Sequence, residues 1–474
     1  MSGHPIVVIG ASFGGLVAAS YLARAGHAVT LVEADDRPGG MCANRVPISD
    51  FAVPPGPHLF AALDSRVIKD LDLDLAFVAR DLPLIGLRAE GPPLVLPRDG
   101  REARHNLAPH SERDAERFIT VRRDHFAFAR AMRAVWWEEG SLHDEASRAT
   151  LRRMQVTAAS SWLEDVFETE SLLAAYSFDV LAGGISPSAP GSALLLTWRA
   201  AQEMCGLQGA VALPSGGPSP LIDAVVKSAT VAGVGFRPNA TVRALLSDGE
   251  TVRGVELADG TVLQASAVVS SLSQRQTLID FLPPGTAGFA TTRALSAPFQ
   301  TSEAKVLLTL TSLPKLFERQ GRYVIAEKLE TAASAHATAR GGDIPSELAL
   351  EIVALETGGT PPILLSIVVR PVPVEPKGGW KEQATRLVQA VLHTLEIHIP
   401  HFTGLVAGLA FVPPKARDPF SIDGLLSPWR SRIETPLKRL YLCGDAAEPV
   451  ACVSGRAGRI AAAIVAKDLQ EARR

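Results

Sequence analysis

Cysteine is scarce: only Cys42, Cys205, Cys443 and Cys452 occur, and no two stand in C-x-x-C spacing. That distribution argues against a disulfide framework or a structural zinc site and suits a reducing cytoplasm. An excess of charge of either sign is also missing. Lys plus Arg total 47 against 50 Asp plus Glu, a net of −3, so the basic footprint of a nucleic-acid binder is absent. No run approaches the roughly 18 apolar residues of a membrane span; the best candidate, 363–374, is broken by Arg370, Pro371 and Pro373. Residues 1–5 lead straight into an apolar segment without the charged and apolar regions of a secretory signal. The expected location is therefore cytoplasmic, and a mean hydropathy of +0.15 leaves peripheral membrane contact open. The 11 histidines are dispersed, and His393 and His398, five apart, fall on different faces of a helix. No metal site is expected. Internal repeats and low-complexity linkers are lacking too, and 47% hydrophobic with 20% charged residues is a folding composition. A chain of 474 residues has material for two or three structural units.

What is present is concentrated at the two ends. Ile6-Val7-Val8-Ile9 is a β-branched apolar run that predicts a buried parallel strand. It ends in Gly10-Ala11-Ser12-Phe13-Gly14-Gly15, followed by an Ala- and Leu-rich helical segment stopped by Gly26. A second apolar run, 28–32, ends in Glu33. Strand, glycine turn, helix, strand and acid form a Rossmann dinucleotide fingerprint in its required order. Gly10 permits the tight turn, Gly15 lets the helix pack closely, and the helix N-terminus offers free N–H groups to a pyrophosphate. Glu33 is placed to accept hydrogen bonds from a ribose diol. Ser12 departs from the pattern, standing where a glycine commonly lets backbone approach phosphate. Serine is small and can itself donate to a phosphate oxygen.

The choice of dinucleotide comes from the next segment. Gly39-Gly40-Met41 follows Glu33 in a spacing that resembles the Glu-x5-Gly-Gly signature of FAD proteins of the glutathione-reductase and amine-oxidase type. Gly56-Pro57-His58 continues the resemblance. Near the other end, the apolar strand 437–443 closes in Gly444-Asp445, and 453–459 opens an Ala-rich helix. Taken together the chain resembles the phytoene-desaturase-like branch of the FAD-dependent amine-oxidase superfamily, which includes pyridine-nucleotide-disulfide-oxidoreductase-like proteins. The resemblance covers nearly the whole length. It runs through Pro214-Ser215-Gly216-Gly217, Val242 and 254–270, where alternating apolar residues and Gly-containing turns independently predict a β-meander.

The resemblance implies an α/β (α+β overall) protein with a Rossmann-type FAD-binding domain and a mixed or antiparallel-sheet substrate domain under a helical cap. The expected boundaries are 1–75, 209–290 and 418–474 for the first, and 76–208 with 291–417 for the second. Residues 113–139 and 142–167 have helix-like composition and belong to the expected cap; 331–345 is expected as a surface helix and loop. Non-covalent FAD is the implied cofactor, with contacts from Gly10, Ser12, Phe13, Gly14, Gly15, Glu33, Ala34, Gly39, Gly40, Met41, Val242, Gly444, Asp445 and Val453. The Asp445 carboxylate would accept from a ribityl hydroxyl. The N-terminus of the last helix would face the flavin N1–C2=O locus. Lys305, in an apparent substrate-domain strand with Pro314 beyond it, matches a lysine that reaches flavin N5 through water, and His58 is a candidate flavin-face or substrate contact. Cys452 is not expected to tether flavin, and Trp136-Trp137 with the aromatic stretch 118–128 are expected in core packing.

Two departures fall near the expected flavin ring. Val450-Ala451-Cys452 replaces a glycine triplet, and the stretch from Asp418 to Ser427 is shortened. The expected activity is dehydrogenation of an apolar isoprenoid- or lipid-like molecule by hydride transfer to flavin N5. Amine or amino-acid-derivative oxidation is the enzymatic alternative, and a flavin-binding isomerase or non-catalytic regulatory protein the alternative of another class. With no second glycine fingerprint for NADPH, dioxygen or a quinone is the expected electron acceptor. Oligomeric state leaves no signature.

Overall fold

The computed structural model describes residues 3–472 except 138–139, 297–300, 327, 356–362, 417–420, 449 and 451. Val7 and Ile9 on one side, Ile6 and Val8 on the other, point to opposite faces of the first strand, Ile6–Ile9, and both pairs are buried. Parallel strands Val29–Val32 and Ala267–Ser270 flank it. Gly235–Arg237 and Leu440–Leu442 then close the two sides of a five-stranded sheet. Ile6 and Val8 pack with helices Phe13–Arg24, Ser219–Val231 and Arg456–Glu471. Val7 and Ile9 pack under an antiparallel meander, Val242–Ser247, Val252–Leu257 and Val262–Gln264. Cover on both faces explains why the strands are apolar throughout rather than alternating.

A second sheet of seven strands runs in the order Val406–Val412, Thr301–Leu310, Ile363–Pro373, Ala349–Leu355, Arg322–Ile325, Leu84–Leu87 and Leu94–Leu96. All neighbours are antiparallel except the parallel pair Arg322–Ile325 with Leu84–Leu87. Strand periodicity decides what each face carries. Ala304, Val306, Leu308 and Leu310 enter a core closed by the helix Trp380–His398. Of the alternate residues on the other face, Glu303 and Lys305 line a large cavity, while Leu307 packs with Ile48 and Val53.

Helices Glu112–Trp137, Glu145–Met154, Ala159–Val166, Glu170–Leu181 and Ala193–Ala201 form a cap, and the last two of them line that cavity. Of the aromatic residues expected in core packing, Phe118 and Trp136 are fully buried, whereas Phe126, Phe128 and Trp137 are half-buried, and Phe118 and Phe126 line a second chamber; Glu139 lies outside the described residues. The helix Leu329–Arg340 corrects the surface reading of 331–345. Ala332, Ala335, His336 and Ala339 are buried, and Ala332 packs with Phe178 and Val324, so one face of this helix is core. Its alanine-rich composition hid that face, because alanine at consecutive positions gives no apolar stripe. Among the described residues, no helix is long and apolar enough to cross a membrane.

Candidate active site

The site is built outward from the first turn. Gly10 takes φ +85°, the left-handed region that glycine enters without strain. Ser12 sits at φ −66° and ψ 169°, ordinary extended backbone, and its hydroxyl accepts the Gly15 N–H at 3.4 Å as the cap of the Phe13–Arg24 helix. A non-glycine residue is thus accommodated there, and it completes the helix N-terminus. Ser12→Ala is expected to lose about 1 kcal/mol and Ser12→Gly a few tenths, measured by urea unfolding. Glu33 braces the same turn. Its carboxylate accepts from the Ala11 and Asp35 N–H groups at 2.7 and 3.0 Å, and its carbonyl accepts from Ala240 at 2.7 Å, two residues before Val242. The Gly39 N–H donates to the Ala11 carbonyl at 2.7 Å, tying the glycine pair to the first turn.

Beside this cradle opens a cavity of about 700 Å³. Ser12, Phe13, Gly14, Gly39, Gly40, Met41, Gly444, Asp445 and Val453 line it, together with His58 and Lys305. Gly10 and Gly15 stand behind that wall. Glu33, Ala34 and Val242 lie outside it, with Ala34 exposed and Val242 buried at the start of the meander. The two ends of the chain meet within backbone thickness here. A Cβ on Gly14 would stand 2.5 Å from the Cys443 carbonyl oxygen, and one on Gly458 would stand 2.4 Å from that of Gly14.

Opposite the cradle, Lys305 is buried and donates to the Gly56 carbonyl. Burial pulls its pKa down to about 8, with the Glu303 carboxylate pulling partly back. His58 is buried beside it, and neither ring nitrogen completes a hydrogen bond. Burial and the Lys305 cation hold it well below the usual histidine range, the Pro54 carbonyl opposing only in part, so it is neutral at pH 7. Burial, reinforced by Asp445, pushes the Cys42 thiol up to about 12. Cys452 is likewise pushed well up by burial and Glu448, which makes it a poor nucleophile.

Comparison with known proteins agrees with this geometry. The family model for flavin containing amine oxidoreductases matches residues 13–465. The chain belongs to that family. The pyridine nucleotide-disulfide oxidoreductase domain-containing protein 2 of Rattus norvegicus is 26% identical over 98% of this chain and 94% of its own. A zeta-carotene-forming phytoene desaturase of Myxococcus xanthus is 31% identical over 56% of this chain and 53% of its own. Among solved structures, an oxidoreductase from Methanosarcina mazei has a TM-score of 0.66 at 16% identity, covering 98% of this chain and all of that one. A putrescine oxidase triple mutant redesigned in cofactor binding has a TM-score of 0.65 at 15% identity, covering 100% and 99%. The protein is an FAD-dependent oxidoreductase. Its cavity fits the cofactor: about 700 Å³ of space runs along the bare backbone of Gly14, Gly39, Gly40 and Gly444, and the buried imidazole of His58, with neither ring nitrogen hydrogen-bonded, lines the same space.

Two features of this flavoprotein site escaped the sequence. The first is at the last helix, Arg456–Glu471, whose N-terminal N–H groups were expected to face the flavin. The Ala457 N–H donates to Glu448 at 3.1 Å, and the Arg456 N–H to the Ser454 hydroxyl at 2.9 Å, while Gly455 and Ala457 line the cavity. A buried carboxylate, its pKa raised by burial, already answers the positive end of this helix. Ala451 and Asp418, in the two departures from the family pattern, lie outside the described residues. The second is a charged wall on the cavity face of the seven-stranded sheet. Arg322 pairs through both Nη atoms with Asp179 and through Nε with Glu351, while Arg370 pairs with Glu303. Burial would raise the Asp179 carboxyl, but Arg322 and Arg199 more than offset it and hold it low. Arg322→Met would strand two buried carboxylates and is expected to cost roughly 3–5 kcal/mol in denaturant unfolding.

Proposed function

We propose that this protein dehydrogenates a small organic molecule carrying a polar group, at a C–H bond presented between Lys305 and His58. The observation that carries the reading is the ion-paired wall of Arg322, Asp179, Glu351, Arg370 and Glu303, which gives the substrate side of the cavity fixed dipoles rather than a hydrocarbon surface. A polar substituent gains orientation against such a wall, whereas an all-hydrocarbon chain would desolvate it without return. The relative named a zeta-carotene-forming phytoene desaturase supports the second reading, an isoprenoid- or lipid-like substrate.

FAD, bound between the cradle and Lys305, supplies the two-electron acceptor for the hydride. We assign its contacts to Gly10, Ser12, Phe13, Gly14, Gly15, Glu33, Ala34, Gly39, Gly40, Met41, Val242, Gly444, Asp445 and Val453, in a unit made of 1–75, 209–290 and 418–474. The chain's own residues do the rest. Lys305 Nζ, held by the Gly56 carbonyl, sits at the cavity face, where it can keep a proton below about pH 8 or release it above. Neutral His58 presents a donor and an acceptor without a charge. Both side chains are buried. The electron acceptor that suits a chain with one dinucleotide fingerprint is dioxygen or a quinone.

The test is anaerobic mixing of the FAD-loaded protein with two panels, polar-substituted amines, alcohols and acids against isoprenoids in micelles. Bleaching of the flavin bands by the first panel supports the reading. Bleaching by isoprenoids alone overturns it in favour of the second.

A further inference from the structure

A second chamber of about 270 Å³ lies between the capping helices and the edge of the seven-stranded sheet, sharing Asp179, Arg199 and Arg322 with the flavin cavity. Its walls are aromatic and aliphatic, with Phe118, Phe126, Trp162 and Phe167 on the helical side and Leu196 beneath. Such a space is large enough for a ring or a short branched chain and is the ordinary make-up of a small-molecule site. Its charges are unbalanced. Arg98, Arg122, Arg199 and Arg322 line it against Asp81 and Asp179. Arg98 is matched by Asp81 at 2.5 Å, and Arg322 by Asp179 through two hydrogen bonds. Glu351, the other carboxylate on Arg322, lines the flavin cavity and not this chamber.

Arg122 and Arg199 are the least closely paired of the four. Arg122 donates only to the carbonyls of Pro97 and Arg98, and burial lowers its pKa, a sign that its charge is poorly compensated. Arg199 reaches the carbonyls of Gly209 and Ala210 and approaches Asp179 only at 4.0 Å; its Nη1 is buried without a partner. His125, the chamber's histidine, gives no balancing anion and no extra cation. Burial takes its pKa to about 4, and its ring lies 4.7 Å from that of Trp162, tilted by 49°, with Nε2 3.2 Å from the Thr197 hydroxyl. A buried cationic donor in an aromatic chamber is matched by a ligand that brings its own anion on an apolar body.

We propose that this chamber binds an aryl- or alkyl-carboxylate, with the apolar part among Phe118, Phe126, Trp162 and Phe167 and the carboxylate on Arg199 and Arg122. Asp179, Arg199 and Arg322 line both cavities, so the bound carboxylate sits one ion-paired layer away from the flavin cavity. Binding here is separate from the reaction at Lys305 and is read without turnover.

The probes are 3-phenylpropanoate, 3-phenylpropan-1-ol and 3-phenylpropylamine, titrated calorimetrically into the FAD-loaded protein. The acid is expected to bind at least tenfold more tightly than the alcohol, with the amine weakest, and added salt should narrow the difference. Arg199→Met should remove the preference for the acid, Arg199→Lys should restore part of it, and Val121→Trp, which fills the chamber, should abolish binding while the visible flavin spectrum persists. Equal affinity for acid and alcohol in the wild-type protein, no binding of the acid at millimolar concentration, or undiminished binding in Val121→Trp would each overturn the proposal. The wild-type comparison stands even if a variant fails to fold. Flavin bleaching by the substrate panels is scored separately, so the two readings fail independently.

Discussion

Lys305→Met is expected to keep FAD at full stoichiometry and to lower kcat by about 10²-fold or more, the scale of a lost positioned proton-transfer group. The same variant should lose any limb near pH 8 in the pH profile, since Lys305 is the group whose pKa burial brings to about 8. Stability should move the opposite way. The lysine in the unfolded chain titrates at its ordinary value of 10.5, so between about 8 and 10.5 the unfolded state holds more protons and stability rises with pH. Below pH 8 the cost of burying the cation is fully present. Lys305→Met should therefore be more stable than wild type at pH 7, with the advantage shrinking through pH 8 and vanishing near 10.5. Unfolding curves at pH 7 and pH 10 check the sign. A variant with normal turnover would place Lys305 outside the chemistry and leave it a buried lysine held by the Gly56 carbonyl.

Gly14→Ala has the second large effect. The added methyl would lie 2.5 Å from the Cys443 carbonyl oxygen and 3.0 Å from the Gly444 Cα, both backbone atoms with no rotamer to yield. The Phe13–Arg24 helix must then move away from the strand that carries Asp445, or the chain must distort. FAD affinity is expected to fall by 10²-fold or more, with a loss of roughly 1–3 kcal/mol in stability. Gly26→Ala is the control. Gly26 has open space around its Cβ direction but sits at φ +85°, so any cost there is conformational and flavin affinity should not change. Equal loss of FAD in both variants would show that the effect at Gly14 is general destabilisation and not closure of the cradle.

The parts of the molecule legible in the sequence are those whose signal is local. Ile6–Ile9, the Gly10–Gly15 turn, the following helix and Glu33 lie within one short stretch, and each obeys a steric or hydrogen-bonding rule that acts over a few residues. The meander at 242–264 was legible for the same reason, alternation broken by glycine turns. Ser12 stood out as a departure, and the backbone conformation that accommodates it is an ordinary extended one. The charged wall left no such trace. Arg322 and Asp179 are separated by 143 residues, Arg322 and Glu351 by 29, and a charged residue inside an apolar strand looks the same in sequence whether it meets water or a partner. Glu448 was hidden by proximity instead. It stands close to the helix it caps, but the bend that turns its carboxylate onto the Ala457 N–H has no composition of its own. The second chamber was unreadable because helical periodicity marks Phe118 and Phe126 as inward-facing without saying whether the interior is filled.

The five-stranded sheet has an implication for the order in which the molecule can be made. Ser271 donates to the carbonyl of Gly10 across 261 residues, and Leu440–Leu442 adds beyond that strand from near the other terminus. A ribosome therefore releases most of the chain before the last wall of the cofactor cradle exists. Until then the apolar strand 267–270 has an open edge where Leu440–Leu442 will pair, a template for wrong partners. FAD supplied during synthesis can act only on the finished cradle, where it draws the closed form forward by mass action, by about 4 kcal/mol when free FAD exceeds its Kd a thousandfold. Riboflavin supply should thus set the yield of soluble protein in the producing cell, before any substrate is met.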